Sequence, residues 1–281
     1  MREAVCCSGS VSCCPKGSAC STGAKCSTTK QVVFEQTAIS LQSVESAALS
    51  CALSDCGGYD CASIKLAEPS AKSGAYTIYL DRQPQRAYCD MDEDGGGWTV
   101  LMRRSDATVR FHDRVYNEYV EGFGSPYANY WLGLEGMHTL TSRVDQPQRL
   151  MVNLRYCDDK PLFAEYKSFE IKDSSQSYMM SFEMYVGGNC GNAFASHNKM
   201  KFSAKDHDVD TYPGNCAKEF NSGWWYLNCH NCLLTGQYYE DCTCPANLGI
   251  IWSPDDAADS KSAKFVTMKI RPENFKQLLS R

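Results

Sequence analysis

The chain has 281 residues, a formal net charge of −5 and 17 cysteines. No stretch approaches the about 20 apolar residues of a membrane span, and no lysine or arginine stripe stands out, so neither a membrane span nor a nucleic-acid partner is expected. Cysteine at this density points to disulfides and a secreted or extracellular protein, and the odd count leaves at least one cysteine free or bridging to another chain.

Residues 1–29 hold six cysteines, Cys6, Cys7, Cys13, Cys14, Cys20 and Cys26, with small and polar residues between them. Almost nothing here can form a core, so cross-links are expected to hold the module, as in a miniature disulfide knot of open pairing. The first residues, MREAVCCSGS, contain no apolar run. Either the true start lies elsewhere or the compartment is not oxidising, and the cysteine usage favours the first.

Residues 30–55 read as a helical linker, because 30–50 contain neither glycine nor proline. Phe34, Leu41 and Ala48 fall seven apart, and Thr37, Val44 and Cys51 follow each by three. That is a short heptad seam, compatible with a coiled coil or with an amphipathic helix packed on its own domain. Cys51 at its end is a candidate interchain bridge, and a homo-oligomer is the expectation.

Residues 56–281 have the texture of one globular domain. Short β-rich runs at 75–80, 98–104, 149–156, 177–187 and 264–272 alternate with Gly- and Asp-rich turns, while 115–124 and 133–142 look helical. The mixture predicts an α+β domain around a twisted, mainly antiparallel sheet. Gly95, Gly96 and Gly97 suit a tight turn feeding a strand, with Trp98 buried behind it.

The stretch Asp206 to His230, DHDVDTYPGNCAKEFNSGWWYLNCH, carries the chemistry. Three carboxylates at alternate positions lead into a turn-rich YPGNC, and Cys216 and Cys229 bracket Trp224, Trp225 and Tyr226. Alternate carboxylates followed by loop carbonyls suit calcium, which takes several oxygens at about 2.3–2.6 Å; the alternative is a solvated acidic turn. An EF-hand is excluded, because Thr211 and Ala217 stand where its glycine and glutamate belong. Cys229, Cys232, Cys242 and Cys244 have zinc-like spacing, and Cys229 beside His230 resembles a nucleophile with its base. Both are weaker readings than a disulfide. There is no GxSxG, HExxH or P-loop, and His112, His138, His197 and His207 form no ligand-spaced pair.

CDMDEDGGGWTVLMRR (89–104), YVEGFGSPYANYWLGLEGMHTLTS (119–142), DHDVDTYPGNC, SGWWYLNCH and GIIW…MKIRP occur in that order. Together they closely resemble the fibrinogen C-terminal-like domain over roughly residues 61–272. The resemblance implies a small N-terminal subdomain, a central antiparallel sheet with helices, and a loop-rich region holding calcium and ligand. It implies disulfides Cys61–Cys89 and Cys216–Cys229, and leaves Cys51, Cys56, Cys157, Cys190, Cys232, Cys242 and Cys244 without assigned partners. It implies Ca2+ on the carboxylates of Asp208 and Asp210 and the carbonyls of Tyr212 and Gly214, with Asp206 behind them.

In the lectin branch of that family, the ligand pocket lies against the equivalent of the Cys216–Cys229 loop, beside a cis peptide that here would be Asn228–Cys229. The ligand-binding residues carried over are Asn228, Cys229, His230, Phe220 and Trp224. Phe220 replaces a wall tyrosine, and Ala246 and Lys261 stand where two further aromatic residues are expected. The peptide-knob pocket of fibrinogen is not supported, because Phe220 and Asn247 stand where it needs carboxylates. The expectation is a secreted, non-enzymatic, calcium-dependent lectin of innate immunity for acetylated or microbial surface glycans. The alternative is an extracellular matrix, adhesion or receptor-binding protein with a cell-surface or matrix protein as partner. A third reading is a venom-type protein whose N-terminal cysteine knot acts on a target. No Gly-x-y stalk precedes the domain.

Overall fold

The computed structural model describes residues 58–255 and 260–280, together with the backbone of four short strands near the start. Those are β1 (Val5–Cys6) paired with β2 (Cys13–Cys14), and β3 (Ala19–Ser21) paired with β4 (Lys25–Ser27), both antiparallel. The expected disulfide pairing of the first module, the helix over 30–50, Cys51 and Cys56 lie outside the described residues.

The domain begins with helix α1 (Cys61–Ala67), started by a capping box in which the Asp60 carboxylate accepts from the Ser63 N–H at 2.7 Å. Strands β5 (Gly74–Leu80), β6 (Gln83–Asp90) and β7 (Trp98–Arg104) follow. Helix α2 (Tyr116–Glu121) is shorter than the helical run expected over 115–124. Gly122 ends it at φ 93°, and Phe123–Gly124 becomes strand β8. Then come β9 (Tyr130–Trp131), helix α3 (Leu134–Thr141), β10 (Gln148–Arg155) and β11 (Leu162–Ile171). The single run expected over 177–187 is two pieces, β12 (Met180–Ser181) and β13 (Met184–Gly188), both on β11. Short elements α4 (Cys216–Glu219), β14 (Cys232–Leu233) and β15 (Ile251–Trp252) punctuate a loop-rich region. Strand β16 (Phe265–Pro272) and helix α5 (Phe275–Leu279) close the domain.

The main sheet runs β12-β11-β10-β16-β7-β6-β5 with antiparallel pairing throughout, and β9 joins β7 to β8. The C-terminal strand β16 therefore sits in the middle, between β10 and β7, so the last strand completes the sheet. Side chains of a strand alternate between faces. Leu150, Val152 and Leu154 of β10 and Val266, Met268 and Ile270 of β16 join one buried cluster with Leu134, Met137 and Leu140 of α3. Polar and charged side chains alternate onto the other face.

The Gly95–Gly97 turn fits the expectation. Gly96 has φ 80°, and a Cβ there would stand 2.2 Å from the Met91 carbonyl oxygen. Gly97 lets α5 approach, since a Cβ would lie 2.6 Å from the Phe275 ring. Trp98 is completely buried, its indole N–H donating to the Glu93 carbonyl at 3.0 Å. The Arg271 guanidinium lies 4.2 Å from the ring centroid and is anchored to Asp94 at 2.9 Å. One disulfide, Cys61–Cys89, pins α1 to β6.

Candidate functional site

The loop-rich region is organised from inside by two polar side chains that the sequence does not advertise. Arg104, the last residue of β7, is buried. Its Nη1 donates to the Leu234 carbonyl at 3.1 Å and to the Gly236 carbonyl, and its guanidinium lies 4.3 Å from the Phe111 ring centroid. One long side chain thus ties the sheet to the loop after β14. His197 is also fully buried. Its Nδ1 lies 2.7 Å from the Trp225 carbonyl, and its Nε2 lies 3.1 Å from the Cys232 amide nitrogen and 3.3 Å from that of Asn231. Such a ring satisfies all three only as the neutral tautomer with Nδ1 protonated. Burial drives its pKa down to about 4, with the Trp225 carbonyl opposing. A neutral imidazole therefore bridges both sides of the segment 225–232, which contains Asn228, Cys229 and His230.

That segment closes the loop held by the Cys216–Cys229 disulfide, and the Asn228–Cys229 peptide bond is cis. Across it the Leu227 N–H donates to the Cys229 carbonyl at 3.0 Å. Asn228 is exposed. His230 is half-buried as a residue, but both ring nitrogens are covered and make no hydrogen bond of regular geometry, only the Asn247 backbone bearing on the ring. Burial, reinforced by His197 and opposed by the Asn247 backbone, pushes the pKa of the His230 ring down to about 3, so it is neutral across the physiological range. Phe220 meets it edge-on at 4.4 Å between centroids, and Tyr226 stands 6.0 Å away. Trp224 is placed otherwise than the sequence suggests. It is fully buried and packs on Phe194, His197 and Trp225, so it belongs to the core and not to a ligand wall. The reason is local: Trp224 pairs with Ser203 in a β-bridge that carries it inward. Ala246 and Lys261 are exposed, and the Tyr238 hydroxyl is committed to the Ser105 carbonyl at 2.9 Å.

The acidic turn lies against the same loop. The Thr211 N–H and hydroxyl both donate to the Leu227 carbonyl, at 3.2 and 2.9 Å. Asp206 is turned away, accepting from the Tyr116 N–H at 2.8 Å at the start of α2. Asp210 accepts from the amides of Tyr212 at 2.9 Å and Cys216 at 3.0 Å. Its pKa is nevertheless raised, by burial first, with the neighbouring Asp208 carboxylate adding to it against those two amides. Gly214 leaves room for the Tyr212 ring, since a Cβ would lie 2.6 Å from it. Among the described residues no three His, Cys, Asp or Glu side chains gather as a metal centre. A cation at this turn would need backbone oxygens beside Asp208 and Asp210, and Tyr212 and Gly214 are where the chain can supply them. Two adjacent carboxylates with only oxygen donors fit a hard cation.

The rival chemistries fail on connectivity. Cys229 is bonded to Cys216 and Cys242 to Cys157, so no four-thiolate zinc site forms and Cys229 is no nucleophile. The Cys157–Cys242 bridge pairs two of the cysteines that lacked partners in the sequence. Cys190 and Cys232 are thiols in the structure.

Comparison with known proteins bears on the whole domain. Residues 57–273 match the family model for the C-terminal globular domain of fibrinogen beta and gamma chains. Fibrinogen-like protein 1 of Mesocricetus auratus is 38% identical over 221 residues, covering 73% of this chain and 68% of the relative. The Bos taurus protein of the same name is 38% identical over 224 residues, covering 73% and 69%. The fibrinogen-like globe domain of human ANGPTL2 superposes with a TM-score of 0.71 at 34% identity, over 76% of this chain and 98% of that one. A lamprey fibrin D-dimer complexed with the peptide Gly-His-Arg-Pro-amide superposes with a TM-score of 0.72 at 31% identity, over 82% and 81%. No helix among the described residues is long and apolar enough to cross a membrane. The chain belongs to the family of fibrinogen-like C-terminal globular domains.

Proposed function

We propose that this is a secreted, non-enzymatic recognition protein whose fibrinogen-like domain binds a small neutral polar group, of the acetyl type, against His230. The observation that carries this reading is the His230 ring: two covered nitrogens that make no regular hydrogen bond, kept neutral and faced edge-on by Phe220. A neutral imidazole offers one donor and one acceptor, and a buried polar group without a partner gains most from a ligand that supplies one. Asn228 and the backbone of Cys229 flank it. Calcium on Asp208, Asp210, Tyr212 and Gly214 stabilises the turn that holds the Leu227 carbonyl, and so the loop carrying the pocket. In this reading the ligand is an acetylated or microbial surface glycan. The exposed Ala246 and Lys261 in place of aromatic walls point to weak monovalent affinity, which oligomerisation through residues 30–55 would raise by avidity.

A second reading is favoured by a specific observation. The relatives are named fibrinogen-like and angiopoietin-like proteins, and one superposed structure holds a peptide. Under it the same pocket takes a group presented by a cell-surface or matrix protein. One experiment separates the two: calorimetric titration with N-acetylglucosamine in calcium and in EDTA. Saturable binding that the His230→Ala variant weakens by about 5- to 150-fold supports the glycan reading, which corresponds to about 1–3 kcal/mol for one lost buried hydrogen bond. Absence of any heat with N-acetylated sugars leaves the protein-partner reading in place and removes the first.

A further inference from the structure

We infer that the cleft on the polar face of the main sheet, away from Asp208, Asp210 and His230, is a second docking surface, for an extended segment of a partner protein carrying a carboxylate about four residues from an apolar side chain. Strand register makes the face. Arg103 of β7 stands opposite Thr267 of β16, Thr267 opposite Asn153 of β10, and Asn153 opposite Phe163 of β11. Residues paired across neighbouring strands share a face, so these four side chains form one row across the sheet. Around the row lies a cleft of about 510 Å3 whose lining includes Tyr88, Arg103, Asn153, Arg155, Phe265 and Thr267.

The cleft holds cations in two different conditions. Lys269 is saturated, at 2.7 Å from Asp90 and 2.5 Å from Glu93. Arg103 and Arg155 form no ion pair among the described residues. Each lies instead over an aromatic ring, Arg103 at 5.1 Å from the Tyr88 centroid and Arg155 at 5.6 Å from that of Phe265. The Nε of Arg103 is buried with no hydrogen-bond partner. A guanidinium placed over a ring has its charge unpaired, and its fork of N–H donors can grip a carboxylate with two parallel hydrogen bonds. The unsatisfied charge therefore asks for an anion.

The far end of the row decides what carries that anion. Phe163 is 39% exposed, and further along the same edge, on strand β13, Met184 is 51% and Val186 41% exposed. Met184 pairs with Lys167, two residues along β11 from Glu165, which faces the same way as Phe163. The exposed Phe163 ring at this end of the row suits an apolar partner side chain, and Met184 and Val186 extend the apolar edge beyond it. A sugar is served less well, because the rings of Tyr88 and Phe265 are already covered by guanidinium groups. Three strand spacings of about 4.8 Å separate Arg103 from Phe163, roughly 14 Å, which an extended chain covers in about four residues.

The test uses the full chain and a fluorescein-labelled, end-blocked peptide in which glutamate and leucine are separated by three serines, read by anisotropy. Saturable binding is expected, at least about tenfold weaker for the Arg103→Gln, Arg155→Gln double variant, for Phe163→Ser, and for a peptide with glutamine in place of glutamate. His230→Ala should bind it unchanged, which separates this surface from the pocket. Matching melting temperatures of the variants show that the fold is intact, and Phe163→Ser alters a surface side chain only. No saturable binding, equal binding of the glutamine peptide, or binding indifferent to the double variant would overturn the inference. Direct binding of a labelled heparin hexasaccharide that requires Arg103 and Arg155, while the peptide does not bind, would overturn it as well, in favour of an acidic glycan.

Discussion

Acidification should loosen the loop around Asn228–Cys229 through His197, and by a predictable amount. The ring is buried and neutral, with its pKa driven down to about 4 by burial, against about 6.5 in an unfolded chain. Because the folded value is the lower one, the unfolded state takes up the proton first. The contribution of this group to stability is complete above about pH 6.5 and is lost as pH falls toward 4. Linkage gives a loss of about 1.5 kcal/mol at pH 5.5 and about 2.5 kcal/mol at pH 4.5 from this one group. Protonation also places a donor where Nε2 now accepts from Asn231 and Cys232, so the damage begins at the segment bearing His230. The assay is urea unfolding of the disulfide-intact chain between pH 7.5 and 4.5, beside His197→Gln. The carboxamide of glutamine can accept a hydrogen bond but does not titrate in this range. The variant should be less stable at pH 7.5 by about 1–3 kcal/mol for the lost hydrogen bonds. Its stability should fall less on acidification, the difference in slope being one histidine's share. Parallel pH profiles for the two proteins would refute the assignment, since other groups would then carry the acid sensitivity.

Two further outcomes follow from the same region. Calcium at about ten times its dissociation constant should add about 1.4 kcal/mol of stability, lost in EDTA and absent in Asp208→Ala, Asp210→Ala; identical melting with calcium and with EDTA would remove calcium from the site. Arg104→Leu strips two carbonyls of their donor and should cost about 2–4 kcal/mol by thermal or urea unfolding, with hydrogen-exchange protection falling first around Leu234–Gly236; a change below about 0.5 kcal/mol would show that the tie is dispensable.

The family and most of the scaffold are legible in the amino-acid sequence. Five ordered motifs mark the domain, and the strands at 75–80, 98–104, 149–156 and 264–272 and the helix after Gly133 are legible because each has an apolar period with a glycine or polar break beside it. The fate of Trp98 was legible too, since three glycines before a tryptophan leave the chain little else to do. The sequence was silent where the period was weak. Strand β6 opens with Gln83 and Pro84 and presents mostly polar side chains, and β11 carries charges at Glu165, Lys167 and Glu170 on its open side. Both are strands because of the partners they meet across the sheet, which no local pattern records.

Tertiary structure alone decided the rest. Trp224 and Phe220 read as equivalent aromatics near a cysteine pair, yet a bridge to Ser203 carries one into the core while the other meets His230. His197 and Arg104 look like an isolated histidine and the end of a basic pair. They become the internal ties of the site only because positions 28 to 132 residues away bring carbonyls and amides to them. The pairing of Cys157 with Cys242 spans 85 residues and rests on how β10 ends beside the loop before β16. Long-range contacts of this kind depend on which surfaces meet after the sheet has closed, and a chain read residue by residue specifies them only jointly.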